Sequence, residues 1–192
     1  GIQTLGELLE KLRKNDGSIN FGTAGPGSTG HIAAAMFLHV TNTKATLVSY
    51  RGAGPAIADL MAGTVDAVID QTVTMIPIHK GERVKSVAVS AKQRLPQIPD
   101  VPTFAEAGAA AFDLSVWNGI AAPAGTPPAV VDRLAQALSN ALKDPDVIDK
   151  FEKMAAVIPP PAEQGPKAFG ALIAKDVPRF TDLIKAANIT TN

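Results

Sequence analysis

The chain has 192 residues, equal numbers of basic and acidic side chains, and no cysteine. The balanced charge argues against nucleic acid as a partner, because nucleic-acid-binding proteins usually carry a basic excess. The lack of cysteine excludes disulfides, zinc–thiolate sites and thiol catalysis. No apolar run approaches the roughly 18 residues that span a bilayer. The first residues show no charged leader followed by an apolar segment, so we expect no signal peptide within this sequence.

The first half of the chain alternates between predicted helices and strands. Thr4 and Glu7 match a capping box that is followed by leucines at helical spacing, which predicts a helix over residues 5–14. Strands that alternate with helices indicate a mostly parallel sheet with helices on its faces. Strands are predicted over 19–22, 46–50, 65–69 and 84–90, with helices over 28–40, 55–62 and 73–79 between them.

The second half of the chain is predicted to be mainly helical. A proline-rich crossing segment, residues 94–102, leads to one more predicted strand over 114–121. Pro178 is expected to kink the last helix, because it removes a helical hydrogen bond. The fold class is therefore α/β, a lobe with a mostly parallel sheet followed by a C-terminal helical layer. Helices of this layer are predicted over 128–142, 146–154 and 162–187.

The most informative segment is a glycine-rich turn, residues 22–31, with the sequence Gly-Thr-Ala-Gly-Pro-Gly-Ser-Thr-Gly-His. It connects a predicted strand to a predicted helix. Such a turn brings several backbone N–H groups together in front of a helix N-terminus, and both features favour negative charge. The hydroxyls of Thr23, Ser28 and Thr29 add further donors. The turn therefore predicts a cradle for a small anion such as a carboxylate.

Three other interpretations of the glycine turn stay open. Residues 22–29 resemble a nucleotide phosphate loop, although Ser28 stands where the phosphate-binding lysine is expected. Residues 25–30 match the Gly-x-Gly-x-x-Gly dinucleotide fingerprint. Arg51 follows the next strand, where an arginine could bind the 2′-phosphate of NADP. This second pattern would make the chain an NADP-dependent oxidoreductase domain. The glycines could also serve only a tight turn and the close packing of helix on strand.

Four segments in chain order resemble the Bug-type solute-binding proteins, which serve tripartite tricarboxylate transporters. They are residues 20–31 (NFGTAGPGSTGH), 48–60 (VSYRGAGPAIADL), 99–108 (PDVPTFAEAG) and 122–127 (APAGTP). The resemblance implies a type II periplasmic-binding-protein fold with a ligand cleft between two lobes. It also implies a periplasmic receptor that delivers a small carboxylate to membrane permease subunits, without catalysis and without a cofactor. The expected ligands are di- and tricarboxylates, acidic amino acids and aromatic acids.

The resemblance also implies how the chain divides. Residues 1–16 would form a helix of a partial first lobe, 17–113 the α/β second lobe, and 114–192 a crossover strand and a helical return to the first lobe. We expect the chain to be a C-terminal portion of such a protein. A portion of this kind would expose sheet edge and apolar surface, which favours a homodimer or a complementing N-terminal fragment. A sensor or interaction module on the same fold is a further alternative to uptake.

The resemblance and the expected sheet geometry together indicate ligand-binding residues. Ligands of open α/β sheets bind outside the carboxyl ends of the strands, so residues that end neighbouring strands line one edge. Arg51 could hold a ligand carboxylate. Asp70 could accept from a ligand amine or hydroxyl, or could cap the following helix. The predicted ligand-binding residues are Thr23, Ala24, Gly25, Gly27, Ser28, Thr29, Tyr50, Arg51, Gly52, Asp70 and Gln71.

The sequence predicts neither a catalytic nor a metal site. His31 and His39 lie about two turns apart on a predicted helix, and no third ligand has a suitable spacing. No Gly-x-Ser-x-Gly elbow marks a nucleophile. The single tryptophan, Trp117, is predicted to lie in the core or the cleft wall. These observations favour a binding protein over an enzyme.

Overall fold

The computed structural model describes residues 1–14 and 17–186. The described residues form two compact units, Gly1–Val116 together with residues 183–186, and Trp117–Asp182. The predicted assignment of residues 1–16, 17–113 and 114–192 to two lobes stays a prediction.

The first unit is built on a three-stranded parallel sheet with the order β2-β1-β3. The central strand pairs with β2 from Asn20 opposite Thr46 onward, and with β3 at Phe21 opposite Ala67. Having a neighbour on each side, the central strand is the best buried, and Phe21 is 0% exposed. The third strand, which the sequence predicts over residues 65–69, has only two residues in the structure. The strands are β1 (Asn20–Thr23), β2 (Thr46–Ser49) and β3 (Ala67–Val68).

Helices follow each strand of this sheet, as predicted. The first helix begins where Thr4 Oγ1 accepts a hydrogen bond from Glu7 N at 3.1 Å, so the predicted N-cap is confirmed. The helix after β1 is buried along most of its length, which agrees with its continuous apolar sequence. The helices of the unit are α1 (Leu5–Lys14), α2 (Thr29–Val40), α3 (Ala53–Ala62) and α4 (Thr72–Lys80).

Aromatic rings hold the later part of the first unit against its sheet. Phe37 of α2 lies 6.2 Å from Phe21 of β1, measured between ring centroids. Its other neighbours are Phe104 at 5.8 Å and Phe112 at 5.7 Å. The core therefore depends on a few phenylalanines despite the low aromatic content, because large rings contribute much buried area per residue.

The predicted fourth strand over 84–90 is wrong. In the described part of the chain, this segment makes only an isolated parallel bridge between Val89 and Thr103. Val89 N donates to Pro102 O at 2.9 Å, and Phe104 N donates to Val89 O at 3.0 Å. Extension of this pairing towards Val87 would need an N–H from residue 102, and proline has none. The proline that marked a crossing segment in the sequence thus ends the pairing on that side.

The predicted strand over 114–121 is also wrong, since these residues form no ladder with any described strand. Leu114 N instead donates to Ser90 Oγ at 3.1 Å. A strand needs a neighbouring strand for its backbone groups, and side-chain pattern alone does not reveal whether one is present.

The second unit is helical, with helices α5 (Pro128–Ala141), α6 (Pro145–Lys153) and α7 (Pro166–Ala186), the last of which ends in the first unit. The single helix predicted over 162–187 is divided, because a 3₁₀ turn at Pro161–Glu163 is separated from α7 by Gly165, with φ at 91°. Position 187 lies outside the described residues. Pro178 lies inside α7, and the kink expected there stays a prediction. No described helix has both the length and the apolar content needed to cross a membrane.

Trp117 is fixed to α7 within the second unit. Its indole Nε1 donates to Asp176 Oδ2 at 2.6 Å, and its ring packs edge-on against Phe169 with centroids 5.1 Å apart. Gly119 lies so close to the Phe169 ring that a Cβ there would overlap it. Trp117 is nevertheless 40% exposed, so it does not lie in the core, and the alternative position in the cleft wall stays a prediction.

A turn at Thr103–Glu106 lowers the pKa of the Glu106 carboxyl group. Thr103 Oγ1 accepts from Glu106 N at 3.1 Å, while the Glu106 carboxylate accepts from Thr103 N at 2.7 Å. This backbone bond, aided by the Arg94 guanidinium, lowers the pKa of Glu106.

We expect the contribution of Glu106 to stability to disappear in acid. A lowered folded pKa means that the contribution is present above the unfolded pKa, about 4.3, and is lost as pH falls through the folded pKa. Glu106→Gln should therefore lower the urea midpoint at neutral pH, and the difference from wild type should close in acid. Glu10→Gln, at an exposed position of α1, is the matched control. A difference of equal size at both pH values would contradict the assignment.

One face of α5 is apolar and exposed. Val130, Leu134 and Leu138 stand four residues apart and are 47%, 52% and 38% exposed.

We expect the purified chain to self-associate through exposed apolar surface such as this face of α5, as inferred from the sequence. Light scattering should give a mass above one chain, and Leu134→Glu should lower it while Gln136→Glu on the same helix does not. A monodisperse wild-type monomer would contradict this expectation.

Candidate functional site

The carboxyl ends of the three parallel strands lie at one edge of the sheet. The strand order β2-β1-β3 means that the chain passes to one side of β1 and then returns to the other. Ligands of open α/β sheets bind at such a point, outside the carboxyl ends of the strands. Three helices also begin at this edge, because α2, α3 and α4 follow β1, β2 and β3 directly.

The glycine turn after β1 lies against the end of β2. Gly25 and Gly27 have φ values of 110° and 73°, which side chains rarely adopt. A Cβ on Gly25 would lie 3.1 Å from Tyr50 O. Gly52 N donates to Ala24 O at 3.3 Å, so backbone bonds continue beyond the strands into both loops.

The first turn of α2 lies against the end of β3. A Cβ on Gly30 would lie only 2.8 Å from Ile69 O and 4.0 Å from Ala24 N. Only glycine permits this approach without a backbone shift. The contact brings the start of α2 beside the residues that follow β3, Asp70 and Gln71.

Several donors of the turn are already used within it. Ser28 N donates to Gly25 O at 3.1 Å, and Gly27 N donates to His31 Nδ1 at 3.0 Å. Ser28 Oγ accepts from His31 N at 3.2 Å, which confirms Ser28 as the N-cap of α2. In residues 1–14 and 17–186, no acceptor pairs with the amides of Thr29 and Gly30. The first amides of a helix have no partner inside the helix, so these two are unpaired within the described residues.

The other two helices begin at this edge without a side-chain cap. The N-cap of α3 is Gly52, and the N-cap of α4 is Gln71, whose side chain makes no capping bond. The interpretation of Asp70 as the cap of α4 is therefore wrong. Its Oδ1 accepts from Gln71 N at 2.7 Å instead. Each helix start adds a partial positive charge to this edge.

Two of the predicted residues use their polar groups inside the protein. Thr23 is 1% exposed and its hydroxyl donates to Val48 O at 3.4 Å, so that hydroxyl is not at the edge. Tyr50 donates its hydroxyl to Asp59 Oδ2 of α3 at 2.6 Å. This hydrogen bond to a carboxylate raises the pKa of Tyr50.

Arg51 follows β2 at the same edge and is exposed. Within the described residues it forms no ion pair. Among these residues there is also no cluster of three or more His, Asp or Glu side chains that could hold a metal ion.

Two residues that shape this edge are absent from the predicted ligand-binding residues. His31 occupies the third position of a helix with a serine N-cap, where capping side chains accept backbone bonds, so the sequence does hold a local signal for it. Gly30 belongs to the dinucleotide pattern in the sequence, and its backbone contact with Ile69 brings α2 against the end of β3. The Gly30 contact joins segments far apart in sequence, so no local signal could have found it.

The model of the TctC family, described as the tripartite tricarboxylate transporter family receptor, matches residues 1–189. A protein from the ttuE–ttuC′ intergenic region of Agrobacterium vitis is 36% identical over 96% of this chain and 54% of its own length. A protein from the tcbD–tcbE intergenic region of Pseudomonas sp. (strain P51) is 34% identical over 97% of this chain and 55% of its own length. The chain thus spans about half the length of these relatives.

Solved structures show the same fold. MatC from Rhodopseudomonas palustris, with bound malate, is 31% identical with a TM-score of 0.89 over 94% of this chain and 62% of that one. The periplasmic binding protein BugD is 31% identical with a TM-score of 0.91 over 100% of this chain and 64% of that one. Rpa4515 of R. palustris, with adipate, is 25% identical with a TM-score of 0.90 over 98% of this chain and 62% of that one. The expected periplasmic-binding-protein fold and the resemblance to Bug-type proteins are thereby confirmed, and the chain belongs to the tripartite tricarboxylate transporter receptor family.

Proposed function

We propose that the chain is part of a periplasmic receptor that binds a small carboxylate and presents it to the permease subunits of a tripartite tricarboxylate transporter. The observation that carries this proposal is the pair of unpartnered amides, Thr29 N and Gly30 N, at the switch point of the sheet. Backbone amides at a helix N-terminus favour a carboxylate, and the adjacent starts of α3 and α4 add to the field. The malate and adipate in two related structures fit the same chemistry.

The binding residues have distinct proposed roles. Thr29 and Gly30 donate amides, and the Ser28 and Thr29 hydroxyls add donors at the same turn. Arg51 offers a guanidinium that makes no ion pair in the described residues and is suited to bidentate carboxylate binding. Ala24, Gly25, Gly27, Gly52, Asp70 and Gln71 supply the loops that bound this edge, and no residue acts as a catalyst.

A dinucleotide remains a second candidate because of specific observations. Residues 25–30 keep the glycine spacing of the dinucleotide fingerprint, and Gly30 makes the close contact that its third glycine requires. Arg51 ends β2 near the place expected for a 2′-phosphate. The family and its carboxylate-bound relatives favour the small acid.

Thermal shift experiments decide between the two ligands. We expect malate, adipate or another small di- or tricarboxylate to raise the melting temperature, and NADPH to leave it unchanged. A ligand at a hundred times its Kd adds about 2.7 kcal/mol to stability, which corresponds to a shift of several degrees. A shift with NADPH alone would overturn the proposal, as would no response to the whole carboxylate panel.

The contact between Gly30 and Ile69 O should be essential to the site. We expect Gly30→Ala to lower stability by about 1–3 kcal/mol, because the new Cβ meets backbone that has no easy way to move. It should also weaken binding of the carboxylate found by thermal shift, measured calorimetrically below the melting temperature. Gly170→Ala in α7 is the control, since a Cβ on Gly170 meets nothing within 4 Å. Equal affinity in both variants and wild type would contradict the placement of the site at this edge.

A further inference from the structure

His31 holds the glycine turn through a reciprocal pair of hydrogen bonds. Its backbone N donates to Ser28 Oγ at 3.2 Å, and its side-chain Nδ1 accepts from Gly27 N at 3.0 Å. It is the third residue of α2 and is 9% exposed. This arrangement is a capping box in which an imidazole replaces the usual glutamate or glutamine and accepts from the residue before the N-cap.

The hydrogen bond defines the protonation state of the ring. A nitrogen that accepts a hydrogen bond carries no proton, so this bond requires the ring tautomer with its proton on Nε2. The Gly27 amide is therefore fixed without a formal charge. A glutamate at this position would accept the same bond but would place a negative charge beside the Thr29 and Gly30 amides.

We propose that His31 is a specificity-determining positioning residue, a neutral cap that fixes the glycine turn and leaves the positive end of α2 available to an anionic ligand. This inference rests on the proposed function, because it concerns the same anion-binding turn. His31 acts through the backbone of the turn and does not itself need to contact the ligand. The charged side chains that follow the neighbouring strands are Arg51 and Asp70, and the Asp70 carboxylate accepts from Gln71 N.

The test compares two substitutions that differ only in charge, His31→Gln and His31→Glu. Both side chains can accept the Gly27 bond, as Glu7 of α1 accepts at 2.7 Å from Gln3 N, the residue before its N-cap. With malate as the probe, or adipate if malate does not bind, we expect His31→Gln to keep the wild-type Kd within about threefold and His31→Glu to weaken binding by at least about tenfold. The melting temperature of His31→Glu without ligand should be no lower than that of His31→Gln. An equal change in Kd for the two variants, or no change in either, would overturn the proposal.

A third variant separates positioning from charge. His31→Leu removes the acceptor and leaves the Gly27 amide without its partner, so we expect both the melting temperature and the affinity to fall. His31→Gln should restore both relative to His31→Leu. Failure of glutamine to restore affinity would show that the hydrogen bond to Gly27 does not position the turn.

A measurement on the wild-type chain keeps the proposal testable if a variant fails to fold. Nitrogen-15 NMR of the histidine rings should show His31 with an unprotonated Nδ1 and a protonated Nε2, both without ligand and with malate. An imidazolium or the opposite tautomer in either state would overturn the proposal.

A failure of the proposed function can be distinguished from a failure of the proposed role of His31. If wild type binds no carboxylate of the panel, the proposed function fails, and sulfate titrated against wild type and the two charge-differing variants then decides the role of His31. Weaker sulfate binding by His31→Glu alone would support that role. Equal binding by all three, or none, would overturn it.

Discussion

The candidate site depends on one backbone contact, the approach of Gly30 to Ile69 O. Because Gly30 has no side chain, the first turn of α2 lies directly against the end of β3. The glycine turn that precedes α2 packs in the same way against the end of β2, because Gly25 lies against Tyr50 O and has no side chain. The ends of all three strands are therefore joined by close backbone contacts.

The electrostatic character of this edge follows from that packing. Parallel strands place the starts of the following helices side by side, and each start carries part of a positive charge. Side chains of the protein use little of this field. Ser28 caps one amide of α2, while the N-caps of α3 and α4 make no side-chain capping bond. A phosphate would suit the same field as well as a carboxylate, so membership of the receptor family is what favours the smaller acid.

The two units differ in how their helices are held. In the first unit, α1 and α2 bury most of an apolar face, and the phenylalanine cluster joins α2 to later segments. In the second unit, α5 and α6 have no buried residue, and their apolar side chains are partly or largely exposed. The anchoring of Trp117 to α7 through Asp176 and Phe169 is the best-defined contact there. The chain also spans only about half the length of its curated relatives.

The sequence by itself determined the elements whose signals are local. Leucine spacing and the Thr4 cap determined α1, the serine N-cap determined the start of α2, and alternating strands and helices determined the parallel sheet. It also located the glycine turn, since glycines between an apolar strand and a helix permit backbone conformations and close approaches that other residues do not. Tertiary structure decided what depends on partners distant in the chain. The segments over 84–90 and 114–121 have strand-like sequences, yet Pro102 lacks the amide to extend one ladder and no described strand lies beside the other. Likewise, only the folded chain brings Ile69 to Gly30, because a close contact needs two groups whose separation the order of residues does not fix.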